Sequence, residues 1–297
     1  MAVLELQHIS KSYGKIQALK DLSFSVPEGS VFGVLGPNGS GKTTLLSIIL
    51  DVLSADTGTF LWFGKPGSPD MRKHIGSLLE TPNFYHYLSA VNNLRVTQSI
   101  SGRGNAEDID EVLRKVSLLE RKNSRFSSYS LGMKQRLAIG AALMGNPRVL
   151  VLDEPTNGLD PVGIAEIREL IKELNKKGFT IIMASHLLDE VEKICTHVAI
   201  LKKGELVTQG TVDEVLVDED IIEISAADHA DLERIMKTYP GTTMVKKEGR
   251  FYYLHFPKGA ASTEKINAYC FEQGITLNHL LHKKKRLEAR FFELTGN

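Results

Sequence analysis

The sequence predicts an α/β fold: a core of short buried strands and helices with an antiparallel β subdomain and a helical insertion, followed by a small α+β, ferredoxin-like C-terminal domain. Three observations predict it. Gly36-Pro37-Asn38-Gly39-Ser40-Gly41-Lys42-Thr43 is an uninterrupted G-x-x-x-x-G-K-T run between an apolar strand (31–35) and an apolar helix start (45–50), the context of a phosphate-loop NTPase core. Residues 149–152 and 179–184 are further, mostly apolar runs, as strands buried in a parallel sheet must be. Past about residue 217 the pattern becomes strand, helix, strand, strand, helix, strand, the order of a ferredoxin-like unit.

Taken in order, residues 3–9 alternate apolar and polar, and so do 18–26 (Leu19, Leu22, Phe24, Val26), the period of half-buried strands. Between them Ser12-Tyr13-Gly14-Lys15 makes a turn with an exposed aromatic. A further strand is expected near 59–63, between the turns at Asp56-Thr57-Gly58 and Gly64, and another at 75–79, running into Glu80-Thr81-Pro82-Asn83 and the aromatics Phe84, Tyr85 and Tyr87. From Ser89 the character turns helical: helices are expected over 90–100, 106–119 and 131–144, the first two joined by the flexible Ser101-Gly102-Arg103-Gly104-Asn105. Gly145-Asn146-Pro147 closes this insertion, about 89–146. Helices over 164–177 and 187–195 and strands over 198–201 and 205–209, the latter joined by Lys202-Lys203-Gly204, complete the first domain, 1–217. In the second, 218–297, strands are expected over 221–225, 244–247, 251–256 and 275–281, and helices over 228–238, 263–272 and 287–294.

Composition narrows the partners. Lys+Arg and Asp+Glu number 36 each, whereas nucleic-acid-binding domains usually carry a net basic surface, so no nucleic-acid partner is expected. Cys195 and Cys270 fit no metal or redox spacing and are read as buried thiols in a reducing compartment. No apolar run reaches the roughly 18 residues of a membrane span, and the first residues do not form a signal peptide. A cytoplasmic location is expected.

The chemistry gathers at strand ends. The loop glycines let backbone N–H groups close around a phosphate chain at a helix N-terminus. Lys42 would reach the β- and γ-phosphates, and the Thr43 hydroxyl would hold Mg²⁺. The run 149–154 is an apolar strand ending in Asp153 and Glu154. Ligands of parallel sheets bind at such carboxyl ends. Asp153 would bind Mg²⁺ and Glu154 would polarise a water for attack on the γ-phosphate. His186 follows the strand 179–184 on the same edge, which favours a γ-phosphate contact. Ser130 is a helix N-cap whose free N–H groups, with the small Gly132, form a second anion site. Tyr13 either stacks on adenine or is a surface tyrosine in a turn.

Together these residues resemble the ATP-binding subunit of an ATP-binding-cassette (ABC) transporter, over about residues 2–216 and in unbroken order. Tyr13 matches that family's adenine-stacking aromatic loop, and Gly36 to Thr44 match the phosphate loop that binds ATP. Tyr129-Ser130-Leu131-Gly132-Met133 match the signature loop, Asn157 to Asp160 the loop that crosses to a second subunit, and His186 the switch histidine. There are two departures. Glu80 stands where the family has a Gln that touches Mg²⁺, and Leu131 and Met133 replace the usual Gly and Gln. The stretch 79–85 is similar to the subgroup that exports bacitracin-type and lantibiotic-type peptides or other amphipathic drugs. The resemblance implies a head-to-tail homodimer sandwiching two ATP molecules with Mg²⁺. It implies a separate transmembrane permease partner and a peripheral position on the inner face of the cell membrane. A soluble, non-transport cassette ATPase acting on a macromolecular partner is the alternative.

The C-terminal segment carries no catalytic constellation. His279 and His282 lack a nearby third ligand and are read as solvated or core histidines, and the basic run Lys283 to Arg286 as a solvated turn.

Overall fold

A computed structural model describes residues 1–79, 83–216, 219–227, 229–257, 259–283 and 291. The chain divides into two compact units, Met1–Thr211 and Val212–Asn297.

The first unit opens with a long hairpin, β1 (Ala2–Tyr13) and β2 (Ile16–Pro27), whose tip pairs Tyr13 with Ile16. Then come β3 (Val31–Leu35), α1 (Lys42–Ile49), β4 (Thr57–Trp62), β5 (Lys65–Pro66), α2 (Pro69–Arg72) and β6 (Ile75–Leu78). The helical insertion is α3 (Ala90–Ser101), α4 (Ala106–Lys115) and α5 (Leu131–Leu143). The alternating core closes with β7 (Val149–Asp153), α6 (Pro161–Lys176), β8 (Thr180–Ser185), α7 (Leu188–Ile194), β9 (His197–Lys202) and β10 (Glu205–Thr211). Two sheets result: an antiparallel one in the order β2-β1-β4-β5 and a larger one in the order β10-β9-β3-β8-β7-β6. All pairs of the larger sheet are parallel except β10 with β9.

The larger sheet is apolar on both faces because both are covered. Phe32, Val34, Val151, Ile182 and Ala199 share one core with Leu45, Leu46 and Ile48 of α1 and with Leu4, Leu22, Phe24 and Trp62 of the antiparallel sheet. Helix α5 lies against β6 and β7, α6 against β8, and α7 against β3. Trp62 is fully buried and its Nε1 donates to Ile49 O at 2.8 Å, as a buried indole requires. Gly33 and Gly76 are close-approach glycines. A Cβ on Gly76 would collide with the carbonyl oxygen of Ala142 in α5, and one on Gly33 would press on Val191 and Cys195.

Three expectations change. Helix α4 stops at Lys115, four residues short of 119. Ser117 takes a left-handed φ of 56°, which an L-residue cannot hold inside a helix, and Leu119–Arg121 is a separate 3₁₀ turn. Helix α6 starts at Pro161 rather than 164, because Asp160 caps it by accepting from Gly163 N at 2.9 Å and proline suits the first helical position. The linker 101–105 is pinned rather than flexible. The Arg103 guanidinium donates to Ile75 O (2.8 Å), Ala142 O (2.7 Å) and Met144 O (2.6 and 3.1 Å). These bonds tie the insertion to the end of α5 and the start of β6.

The second unit holds α8 (Val212–Leu216), β11 (Glu219–Ala226), α9 (His229–Met236), β12 (Met244–Glu248), β13 (Phe251–Pro257), α10 (Thr263–Glu272) and β14 (Leu277–Lys283). Its sheet is antiparallel in the order β12-β13-β11-β14, the ferredoxin-like arrangement expected from the βαββαβ order. Ile222, Ile224, Tyr252, Leu254 and Phe256 form its core with Leu232, Ile235 and Met236 of α9 and Ile266 and Cys270 of α10. The expected helix over 287–294 lies outside the described residues apart from Phe291, as does the basic run beyond Lys283. No helix among the described residues is long and apolar enough to cross a membrane.

Candidate functional site

The carboxyl ends of β3, β7 and β8 lie side by side in the sheet, because β8 pairs with both β3 and β7. The three segments that leave those ends build the site. From β3 the chain enters the phosphate loop, where Gly41 holds a left-handed φ of 103° and a Cβ would sit 2.5 Å from Ala18 O. Only glycine fits there. Lys42 opens α1 and is buried, its Nζ donating to Gly36 O at 2.8 Å and reaching Pro37 O at 3.4 Å. Burial pushes the Lys42 ammonium below its ordinary pKa, while the nearby Glu154 and Asp153 carboxylates pull it back up. Thr43 Oγ1 donates to Asp153 Oδ2 at 2.9 Å. A hydroxyl and a carboxylate side by side are hard oxygen donors of the kind a magnesium ion takes.

Strand β7 ends at Asp153, one residue earlier than the 149–154 run suggests. Glu154 leaves the strand with φ 48°, a sparsely populated conformation for a non-glycine residue that clusters at functional sites. Its N–H donates to Ala184 O of β8 at 3.0 Å, which fixes the bend. The carboxylate is thereby turned towards His186, beyond the end of β8, whose Nδ1 lies 2.8 Å from Glu154 Oε2. Glu154 accepts this bond, which puts the imidazole proton on Nδ1. Glu154 Oε1 stands 3.9 Å from Lys42 Nζ.

An open cavity of about 810 Å³ borders this cluster. Asn38, Gly39, Gly41, Lys42, Thr43, Thr44 and Glu154 line it, together with Tyr13, half exposed at the β1–β2 tip. The hairpin fold therefore brings Tyr13 to the phosphate loop although it stands 23 positions ahead of Gly36. Ser40 Oγ is buried inside the loop with no protein partner among the described residues. Sequence reasoning missed Lys15, Gln17, Lys20 and Lys203, which line the same cavity. Their nearness to Tyr13 in the β1–β2 hairpin was the available signal for Lys15 and Gln17, and nothing in the local pattern around Lys20 or Lys203 pointed to them.

Ser130, Gly132 and Asp160 do not line this cavity. Ser130 is the exposed N-cap of α5, its Oγ accepting from Met133 N at 3.3 Å. Asp160 is likewise an exposed helix cap, and between them Leu131 rests on Gly158, whose Cβ position is 3.5 Å from Leu131 Cδ2. Glu80, the remaining expected metal contact, lies outside the described residues. In the second unit His279 Nε2 pairs with Glu223 Oε1 at 2.8 Å and His282 Nε2 stands 3.5 Å from Asp220 Oδ1. Among the described residues no group of three or more His, Cys, Asp and Glu side chains has the arrangement of a metal cage. Both cysteines are buried free thiols, and burial pushes the Cys270 thiol up to about 11.

Residues 19–157 match the family model for ABC transporters. Over 99% of its length the chain is 33% identical to the bacitracin transport ATP-binding protein BcrA of Enterococcus faecalis, covering 96% of that protein. It is 39% identical to the lantibiotic transport ATP-binding protein SrtF of Streptococcus pyogenes over 71% of this chain and 92% of that one. Among solved structures it is similar to a dimeric ATP-binding cassette in a post-hydrolysis state bound to ADP and Pi, with a TM-score of 0.63 and 27% identity over 70% of this chain and 98% of that one. Near full-length likeness to transport ATP-binding proteins, on a fold shared with a nucleotide-bound cassette, means that the chain belongs to the ABC transporter ATP-binding family and is an ATPase subunit of a transporter.

Proposed function

We propose that this ATPase drives a separate membrane permease that exports an amphipathic peptide, drug or lipid-like substrate, and that it works as a homodimer on the inner face of the cell membrane. The observation that carries the reading is the convergence of Lys42, Thr43, Asp153, Glu154 and His186 at three adjacent strand ends beside a cavity long enough to reach Tyr13. The substrate class is supported by the likeness to the bacitracin and lantibiotic transport proteins. A transport ATPase needs a path through the membrane, which we assign to another polypeptide. The first unit is the ATP-binding domain and the second an accessory domain.

In this reading the adenine of ATP stacks on Tyr13 and the phosphates enter the loop from Gly36 to Thr44. Lys42 exchanges its carbonyl partners for phosphate oxygens. Thr43 and Asp153 hold Mg²⁺, a pair of donors that fits it, and the ion when bound neutralises charge on the phosphate chain. Glu154 Oε2 is engaged by His186, so Oε1 is the oxygen left to take the proton of the attacking water as it adds to the γ-phosphorus, while the bond from that phosphorus to the β,γ-bridging oxygen breaks and ADP leaves with its electron pair. Ser130 and Asp160 stand exposed on helix N-termini away from the cavity, with Gly132 half-buried beside Ser130, as residues that complete a second copy's site would.

Glu154→Gln tests this. Losing the general base costs about 10²–10⁴-fold in rate. The variant is expected to bind ATP, stop hydrolysing it and accumulate as an ATP-bound dimer. Hydrolysis within threefold of wild type would remove Glu154 from the mechanism. Failure of the tagged chain to co-purify with a polytopic membrane protein from its native membrane would remove the permease.

A further inference from the structure

The turn between β9 and β10 has a residue that its backbone does not want. Lys202 pairs with Glu205, so Lys203-Gly204 is a two-residue hairpin loop, and both residues have positive φ, 49° and 81°. That is a type I′ turn, whose first position favours Asn, Asp or Gly. A lysine there is strained and gains nothing from the turn. Gly204 is the fitted partner: a Cβ on it would sit 2.6 Å from Ala18 O.

The turn is also bolted to the phosphate loop. Gly204 N donates to Ser40 O at 3.1 Å, and Gly204 O accepts from Lys20 N at 2.7 Å. A Cβ on either Gly41 or Gly204 would collide with the carbonyl oxygen of Ala18. Lys203 is thereby held on the wall of the cavity that the phosphate loop and Tyr13 line, exposed. The other cations of that wall are engaged or stand by the β1–β2 tip. Lys20 is paired with Glu205 at 2.9 Å, Lys42 is buried in the loop, and Lys15 sits by the hairpin tip. Lys203 forms no ion pair with the described residues.

We propose that Lys203 is a nucleotide-binding residue whose ammonium pairs with the phosphate chain of ATP, and that the turn keeps its strained lysine for this reason. The inference rests on the assignment of this cavity to ATP. A cation held beside the loop on a short hairpin needs little reorganisation to meet a phosphate oxygen.

The test exploits opposite signs. Lys203→Asn gives the turn its favoured Asn-Gly sequence and removes the charge, so the nucleotide-free variant is expected to melt above wild type while its Kd for ATP rises about 3- to 10-fold. Lys203→Ala is expected to weaken ATP to the same degree, and Lys203→Arg to stay within twofold. The salt dependence of ATP binding should be shallower in the Asn and Ala variants. If Lys203→Asn is stabilised and binds ATP within twofold of wild type, the lysine is only a turn residue and the proposal fails. Lys42→Ala is the control for the assignment beneath it. Loss of ATP binding there with no effect of Lys203→Asn sinks this inference alone. Unchanged binding in Lys42→Ala sinks the cavity assignment.

Discussion

Replacing Arg103 by alanine should cost the first unit a large part of its stability, although the residue lies in a glycine-rich linker. Its guanidinium makes four hydrogen bonds to three carbonyls, Ile75 O, Ala142 O and Met144 O, at 2.6–3.1 Å. Two of those carbonyls are at the end of α5, where a helix leaves its last C=O groups without internal partners. Bonds to a charged donor are worth about 1.5–3 kcal/mol each. Water reaches part of the vacated space, so about 1–1.5 kcal/mol per carbonyl is retained as loss, or about 3–5 kcal/mol in total. Against a typical stability of about 5–15 kcal/mol this is a severe change. The assay is urea unfolding followed by the fluorescence of Trp62, the sole tryptophan, which is fully buried in the first unit's core. The midpoint is expected to fall by about 1–2 M. Arg103→Lys keeps the charge but offers one ammonium to three dispersed acceptors, and should lose about half as much. An alanine variant within about 1 kcal/mol of wild type would show that the clamp contributes nothing and refute the reasoning.

Three further outcomes follow from the site. His186→Ala should lower kcat about 10²-fold by releasing Glu154 Oε2, with the Kd for ATP within about threefold of wild type; unchanged turnover in steady-state assays would deny the pair a catalytic role. Burial lowers the Lys42 pKa, so its ammonium is fully present below that lowered value and lost above it. ATP affinity should therefore decline as pH rises through the lowered value, with proton uptake on binding there that calorimetry in two buffers of different ionisation enthalpy would detect. The same depression has the opposite sign for the nucleotide-free protein: between the folded and unfolded pKa values the unfolded chain binds more protons, so this group's contribution to stability rises with pH. Tyr13→Ala should weaken ATP by about 5- to 100-fold through lost stacking of about 1–3 kcal/mol, while Tyr13→Phe stays within about twofold. Binding of tripolyphosphate should be indifferent to both, and an equal loss for tripolyphosphate would contradict stacking.

The sequence made legible what is written locally. Apolar runs at 31–35 and 149–152 mark buried strands, the spaced glycines around Lys42 mark the loop, and the βαββαβ order at the C-terminus anticipates the sheet order β12-β13-β11-β14. What was not legible depends on partners far along the chain. Arg103 in a Ser-Gly-Arg-Gly-Asn stretch looks like a linker residue until α5 and β6 present their carbonyls. Glu154 reads as the last residue of a strand, yet a bond from its N–H to Ala184 O turns it out with a positive φ. Lys203 reads as one residue of a strand-joining turn until Gly204 is seen bonded to Ser40. The early stop of α4 at Lys115, ahead of the left-handed Ser117, is a backbone event with no composition signal.

The order of strands in the larger sheet sets a timetable for synthesis. β3, which leads into the phosphate loop, has neighbours β8 and β9, and Val31 pairs with Ile181. The Thr43–Asp153 bond spans 110 residues. A nascent chain that has exposed its whole glycine loop therefore still lacks both flanking strands of the strand beneath it. Contacts of such long range are late and slow to form. The nucleotide pocket is thus a checkpoint on completion: it comes into being only when translation has passed residue 204, whose N–H bonds the phosphate loop, and a chain stalled inside the helical insertion carries the motif without the site. ATP, by binding only the finished unit, favours it over its unfinished forms.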